Sequence, residues 1–162
     1  MKKYTARLTQ GALIAAAYTA LCFAQNLIFP NSASMMVQFR VAESLCVLAF
    51  FTPAAIPGLT FGCALFNLTA AGTLPLDIVI GSAATALATA CMWLLRKRPW
   101  IGLMMPAIFN ALLVGWELNF YIGGGFWLNA GCVALGEVVV LYTLGSLLLG
   151  VLNRHKKHLH LS

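Results

Sequence analysis

Apolar residues run almost unbroken along this chain, and the interruptions define its elements. Four stretches read as helices long enough to cross a bilayer, near Leu8–Phe29, Ile78–Leu95, Ile101–Phe120 and Trp127–Leu152. Each approaches the roughly 20 residues that a crossing needs. The stretch Met35–Ala71 is too long and apolar for a single crossing, and Thr52-Pro53-Ala-Ala-Ile-Pro57-Gly58 interrupts it. Proline lacks an amide donor and disfavours a helical residue before it. This stretch is therefore either one broken crossing or two short helices with a turn at Pro53–Gly58.

Basic residues choose between the two. Lys2, Lys3 and Arg7 precede the first helix, Arg96, Lys97 and Arg98 follow the Ile78–Leu95 helix, and Arg154, Lys156 and Lys157 follow the last. Two crossings within Met35–Ala71 put all three clusters on one side, as the retention of basic residues in the cytoplasm requires. The expected fold is an all-α integral membrane bundle, one transmembrane domain over residues 1–162. Its six transmembrane helices lie near 8–29, 35–51, 57–71, 77–95, 100–120 and 127–152, with both termini cytoplasmic.

Composition agrees. Of 162 residues, 61% are hydrophobic and 9% charged, whereas a soluble domain carries about a quarter charged residues. The first segment is expected to remain a helix and not to be a signal peptide. Its apolar part exceeds the usual 7–15 or so residues and runs into Phe29-Pro30-Asn31 without a small-x-small site. The five cysteines, Cys22, Cys46, Cys63, Cys91 and Cys132, form no Cys-x-x-Cys pair. They read as small buried apolar residues, with no disulfide and no metal site expected.

The same topology places all four acids, Glu43, Asp77, Glu117 and Glu137, in the outer half of the membrane. Ionisable groups in membrane helices are costly and face a protein interior or a watery cavity. Asp77 opens a helix and reads as a capping residue, and Glu117 reads equally as interfacial or as facing the interior. Glu43 and Glu137 lie deeper, about 5 and 15 Å from the outer helix ends at 1.5 Å per residue. Arg40 stands three residues before Glu43 and is the one Lys or Arg on the outer side. Gln38, Asn67 and Asn110 add amides at similar depth, and Trp116 belongs to an outer aromatic group with Phe39, Phe120, Tyr121, Phe126 and Trp127. The expected site is an outward-facing cavity with apolar and aromatic walls, formed by Arg40, Glu43, Gln38, Asn67, Asp77, Asn110, Glu137 and Trp116. Carboxylates and amides there suit a flat, nitrogen-rich solute.

No Gly-x-x-x-x-Gly-Lys-Ser/Thr loop is present to bind ATP, and no His-Glu-x-x-His to bind zinc. His155, His158 and His160 fall in the basic tail, and no Ser-His or Ser-Lys pair suggests a hydrolase. A binding cavity without a motor implies a borrowed one. The first helix offers a face for docking it: Ala12, Ala16 and Ala20 recur every four residues, with Gly11, Ala15 and Thr19 alongside. Small residues at this spacing admit a close helix–helix approach, either with a partner or within the chain.

Several blocks carry a resemblance: Gln38-Phe39-Arg40-Val-Ala-Glu43-Ser-Leu, Ala55-Ile-Pro57-Gly58-Leu-Thr-Phe-Gly62-Cys-Ala-Leu-Phe-Asn67, Leu76-Asp77-Ile-Val-Ile-Gly81-Ser, Pro106-Ala-Ile-Phe-Asn110-Ala-Leu, and Leu135-Gly136-Glu137 with Tyr142-Thr-Leu-Gly145. Through them the chain resembles the QueT family, substrate-binding (S) components of energy-coupling factor (ECF) transporters, nearly end to end. Ala42 stands where a serine often precedes the motif glutamate. The resemblance implies six helices and a site near the outer face of a prokaryotic cell membrane. It implies three partners, a transmembrane coupling subunit and two cytoplasmic ATPases that use ATP, with no cofactor in this chain. The implied substrate is a queuosine precursor, 7-cyano- or 7-aminomethyl-7-deazaguanine, and the implied coupling-subunit contact is Ala12, Ala16 and Ala20. The alternative function is a free-standing proton-coupled carrier or exporter of small organic cations, with Glu137 as its proton site.

Overall fold

In a computed structural model the described residues are 2–30, 37, 39–70 and 73–155. They form α1 (Lys2–Ile28), a 3-10 helix (Val41–Phe50), α2 (Ala55–Thr69), α3 (Asp77–Leu94), one turn of α4 (Pro99–Gly102), α5 (Met104–Tyr121), α6 (Phe126–Val140), a π segment (Leu141–Gly145) and α7 (Ser146–His155). The last three continue one another and α4 leads directly into α5, so the described chain forms six helical rods. No strand occurs among the described residues.

The rods begin where the sequence lets them. Pro99 is the first residue of α4, and Pro57 and Pro106 stand third in α2 and α5. In a first turn the missing N–H has no helical partner to lose. The break in Met35–Ala71 therefore falls at Phe51–Ala54, and Pro57-Gly58 lies inside α2 instead of forming the turn. At the other end of the bundle Gly123, Gly124 and Gly125 take φ of 76°, 84° and 98°. Only glycine adopts three such values in a row without strain.

The second rod departs from expectation. In place of an α-helix over 35–51 there is a 3-10 helix, closed by bonds such as Glu43 N–H to Arg40 C=O and Phe51 N–H to Leu48 C=O, both 3.0 Å. Runs this long are uncommon, and burial accounts for this one. α1, α2, α3 and the rod from α6 to α7 pack around it. Its narrow cylinder carries Ala42, Ser44, Cys46 and Ala49, all buried, so the neighbours close in around it. Side chains three apart eclipse in a 3-10 helix, which aligns Arg40, Glu43, Cys46 and Ala49 in one fully buried row.

Among the described residues four helices are long and apolar enough to cross a membrane: Tyr4–Ile28, Asp77–Leu94, Pro99–Tyr121 and Phe126–His155. The 3-10 helix and α2 are shorter. Ten residues at 2.0 Å and fifteen at 1.5 Å cover only about 20 and 22 Å, less than the ~30 Å hydrocarbon core. The bundle is inverted relative to a soluble protein. Leu27, Trp127 and Leu94 are 84%, 81% and 75% exposed, while all four acids are at most 3% exposed. Helical hydroxyls bond back to their own helix, as Thr85 does to Gly81 C=O at 3.0 Å and Thr89 to Thr85 C=O at 2.7 Å, which satisfies them without water.

Close contacts lock the rods. A Cβ on Gly58 would stand 2.7 Å from Gly11 O, and one on Gly62 would stand 2.9 Å from both Ala15 O and Tyr18 Cβ. The small residues of α1 thus divide between two faces: Gly11, Ala15 and Thr19 turn toward α2, while Ala12, Ala16 and Ala20 remain exposed. A Cβ on Gly115 would stand 2.8 Å from Ala130 Cα, which marks the same kind of approach between α5 and α6. At one end of the bundle Gly102 abuts the Phe50 ring and Thr52 Oγ1 donates to Gln10 Oε1 at 3.3 Å. Arg7 and the exposed Arg96, Lys97 and Arg98 therefore share that end.

Candidate ligand-binding site

The row that begins at Arg40 organises the opposite half of the bundle. Arg40 is 2% exposed and lies within electrostatic range of Glu43, Asp77, Glu117 and Glu137. Four carboxyls from four rods thus converge on one guanidinium. A buried charge persists only when paired or hydrogen-bonded, so the way each carboxyl is held reveals its task.

Glu43 is held completely. Its Oε1 accepts from Tyr18 Oη at 2.6 Å and its Oε2 from the Cys46 thiol at 3.1 Å. Glu137 is held on one side, by Asn110 Nδ2 at 3.0 Å to Oε1, and Oε2 has no donor. Asp77 is the first residue of α3, yet it does not cap that helix's own amides. Its Oδ2 reaches back to the Leu74 amide at 2.9 Å and fastens the preceding turn. Glu117 is fully buried with no donor on either oxygen, and it faces Asp77 across the α3–α5 contact. Of the two placements open to Glu117 the fold takes the interior one, since the rotation of α5 turns it inward.

The amides frame the cluster. Asn67 Nδ2 donates to Asp77 C=O at 2.8 Å and contacts Cys63 Sγ at 3.5 Å, while its Oδ1 has no donor. Gly81 makes room for this arrangement: a Cβ there would stand 2.8 Å from Asn67 Nδ2 and 3.8 Å from Arg40 Nη1. Asn110 Oδ1 likewise has no donor. Asn129 Nδ2 ties the glycine turn through Gly123 C=O at 2.8 Å.

Of the expected site residues, the fold brings together Arg40, Glu43, Asn67, Asp77, Asn110 and Glu137. Gln38 lies outside the described residues. Trp116 does not join the cluster: it is 52% exposed and stacks on Phe120 at 6.0 Å, part of an outward aromatic surface. Five participants were missed. Glu117 sits at a helix end among aromatics, where the sequence suggests an interface. Tyr18 and Gln25 lie seven residues apart on α1, two turns along the same face, a spacing that could have revealed them. Gln25 grips the backbone on both sides of Arg40, donating to Phe39 C=O and accepting from Val41 N–H at 2.8 Å. Cys63 contacts Arg40 and Asn67. With Cys46 on Glu43, two cysteines act as polar partners and not merely as apolar filler. All five cysteines are free, and no group of metal-ligating side chains occurs among the described residues.

Five buried oxygens of the acids and amides framing this site lack a donor: both of Glu117, Glu137 Oε2, Asn67 Oδ1 and Asn110 Oδ1. Chemically, the cluster asks for N–H or O–H groups and offers few. Comparison with curated proteins finds no match, and comparison with solved structures finds none either. A family model described as the QueT transporter matches residues 8–154, most of the chain and every residue of the cluster. The chain belongs to the QueT transporter family, the S components of energy-coupling factor transporters, and is a membrane transport protein and not an enzyme.

Proposed function

We propose that this chain is the substrate-specific subunit of an ATP-driven ECF importer and captures a queuosine precursor, 7-cyano- or 7-aminomethyl-7-deazaguanine. The observation that carries the reading is the set of buried, donor-less oxygens around Arg40. A deazaguanine edge presents a ring N–H and an exocyclic amine side by side, and one carboxylate can accept from both. Burying such a donor edge against unmet acceptors releases the cost of leaving them bare.

In this reading all six rods lie within a prokaryotic cell membrane and both termini face the cytoplasm. The gathering of Arg7 and Arg96–Arg98 at the end opposite the acids supports that orientation. The chain holds no cofactor of its own. A transmembrane coupling subunit docks on Ala12, Ala16 and Ala20, and two cytoplasmic ATPases supply the energy.

Calorimetric titration of the purified chain in detergent tests the reading, with both precursors as ligands and guanine and biotin as controls. Submicromolar binding of a precursor is expected. A folded chain that binds neither would overturn it. In proteoliposomes the chain alone is expected to take up nothing, and uptake driven by a proton gradient without partners would favour a free-standing carrier.

A further inference from the structure

A groove runs between α1 and α2 on the outside of the bundle, toward its basic end. It originates in the close approach of the two helices. Gly11 and Ala15 meet Gly58 and Gly62 backbone to backbone, so no side chain stands over the seam. The longer residues flank it instead. Tyr4, Arg7 or Leu8, Gly11 and Ala15 follow one another every three or four residues along one face of α1, and Pro57, Phe61 and Leu65 do so every four along α2. Such spacings keep side chains on one face. Two adjoining hollows of about 400 and 330 Å³ lie along the seam, and both are lined by Arg7, Leu8 and Pro57.

The groove has a charged head and an apolar body. Arg7 is exposed, and beyond it toward Ala15 and Leu65 the lining is glycine and apolar residues. The chain's four acids all gather around Arg40. Tyr18, which reaches Glu43, stands eleven residues beyond Arg7 on α1, a rise of about 16 Å. No carboxylate of the acid cluster therefore balances the Arg7 guanidinium. From Tyr4 to Ala15 the groove extends about 16 Å along the same helix, half of the ~30 Å hydrocarbon core. It thus begins at a cation and ends one leaflet deep. A soluble anion would use Arg7 and leave the furrow bare, and an apolar helix would fill the furrow and leave the guanidinium uncompensated.

We propose that the α1–α2 groove is a binding site for an anionic phospholipid, whose phosphate pairs with Arg7 and whose acyl chain lies between Leu8, Phe61 and Leu65. A guanidinium presents two parallel N–H donors to phosphate oxygens. A choline headgroup carries its own cation, which competes with Arg7 for the phosphate. The chain therefore selects lipids by net charge at this seam, whichever solute it transports.

Native mass spectrometry of the purified chain in detergent tests this, with phosphatidylglycerol and phosphatidylcholine of identical acyl chains as the probes. The wild type is expected to hold the first phosphatidylglycerol at least about fivefold more tightly, the scale of one basic residue beside an anionic lipid. Arg7→Gln is expected to reduce that preference below about twofold. Arg98→Gln, at a residue exposed at the same end but outside the groove, is expected to leave it unchanged. Ala12→Phe fills the furrow from its exposed edge and is expected to weaken both lipids at least about fivefold. Equal binding of the two lipids by the wild type would overturn the proposal. So would the same loss of preference in the Arg7 and Arg98 variants, because the charge of the whole end would then account for it. The wild-type comparison decides the matter if the variants do not fold.

Discussion

The phenol of Tyr18 donates to Oε1 of Glu43 at 2.6 Å, and both side chains are completely buried. This bond joins α1 to the 3-10 helix across a sequence separation of 25 residues. It aims a buried carboxyl into the cluster. Replacement of Tyr18 by Phe keeps the ring and removes the donor. Leaving a buried acceptor without its donor costs about 1–3 kcal/mol, so Tyr18→Phe is expected to melt several degrees lower in detergent. It is also expected to bind a deazaguanine ligand more weakly, as read by calorimetry. An unchanged melting temperature would mean that the bond does not hold the two helices together.

Gln25 holds Arg40 in place indirectly, by gripping Phe39 C=O and Val41 N–H. Gln25→Ala frees the entry to the 3-10 helix and leaves two backbone groups in need of partners. The expected result is at least about a tenfold loss of ligand affinity, from roughly 1–3 kcal/mol per unsatisfied group. Gln25→Glu retains the acceptor for Val41 and loses the donor to Phe39, so the expected loss is no smaller. Wild-type affinity in both variants would remove Gln25 from the site.

Gly62 sets the rotation of α1 relative to α2. Its absent Cβ would meet Ala15 O and Tyr18 Cβ, each at 2.9 Å, so any larger residue pushes Tyr18 away from Glu43. Gly62→Val is expected to cost about 1–3 kcal/mol, the usual penalty for overpacking, and to weaken binding as Tyr18→Phe does. Circular dichroism melts and titration of the same preparation check both. A stable variant with full affinity would show that the two helices part without consequence for the site.

Ala16 lies on the other face of α1 and is exposed. Ala16→Leu is therefore expected to leave the melting temperature and ligand affinity of the isolated chain unchanged. With the coupling subunit and ATPases in proteoliposomes it is expected to reduce ATP-driven uptake at least about tenfold, because a leucine blocks close helix approach. Uptake at the wild-type rate would place the docking surface elsewhere.

Much of this molecule was legible before any coordinates. Apolar length marked the rods, prolines marked their starts to within a few residues, and the rarity of charge singled out Arg40, Glu43 and Glu137. Burying an ionisable group is so costly that its presence in an apolar run already signals a site. Asn67 and Asn110 were legible for the same reason. The sequence could not say how each rod is turned about its axis. Glu117 at an aromatic helix end reads equally well as interfacial or interior, and Trp116, one residue before it, points the other way. The missing Cβ atoms of Gly58, Gly62 and Gly115 decide those rotations through contacts between residues distant in the chain. The 3-10 form of Val41–Phe50 has the same origin. Local propensity favours an α-helix there, and enclosure by the surrounding rods selects the narrower one. By itself, therefore, the sequence determined which groups must be hidden from lipid. Only tertiary packing decided which of them meet, because backbone contacts between rods, and not the side chains' own chemistry, set each helix's rotation.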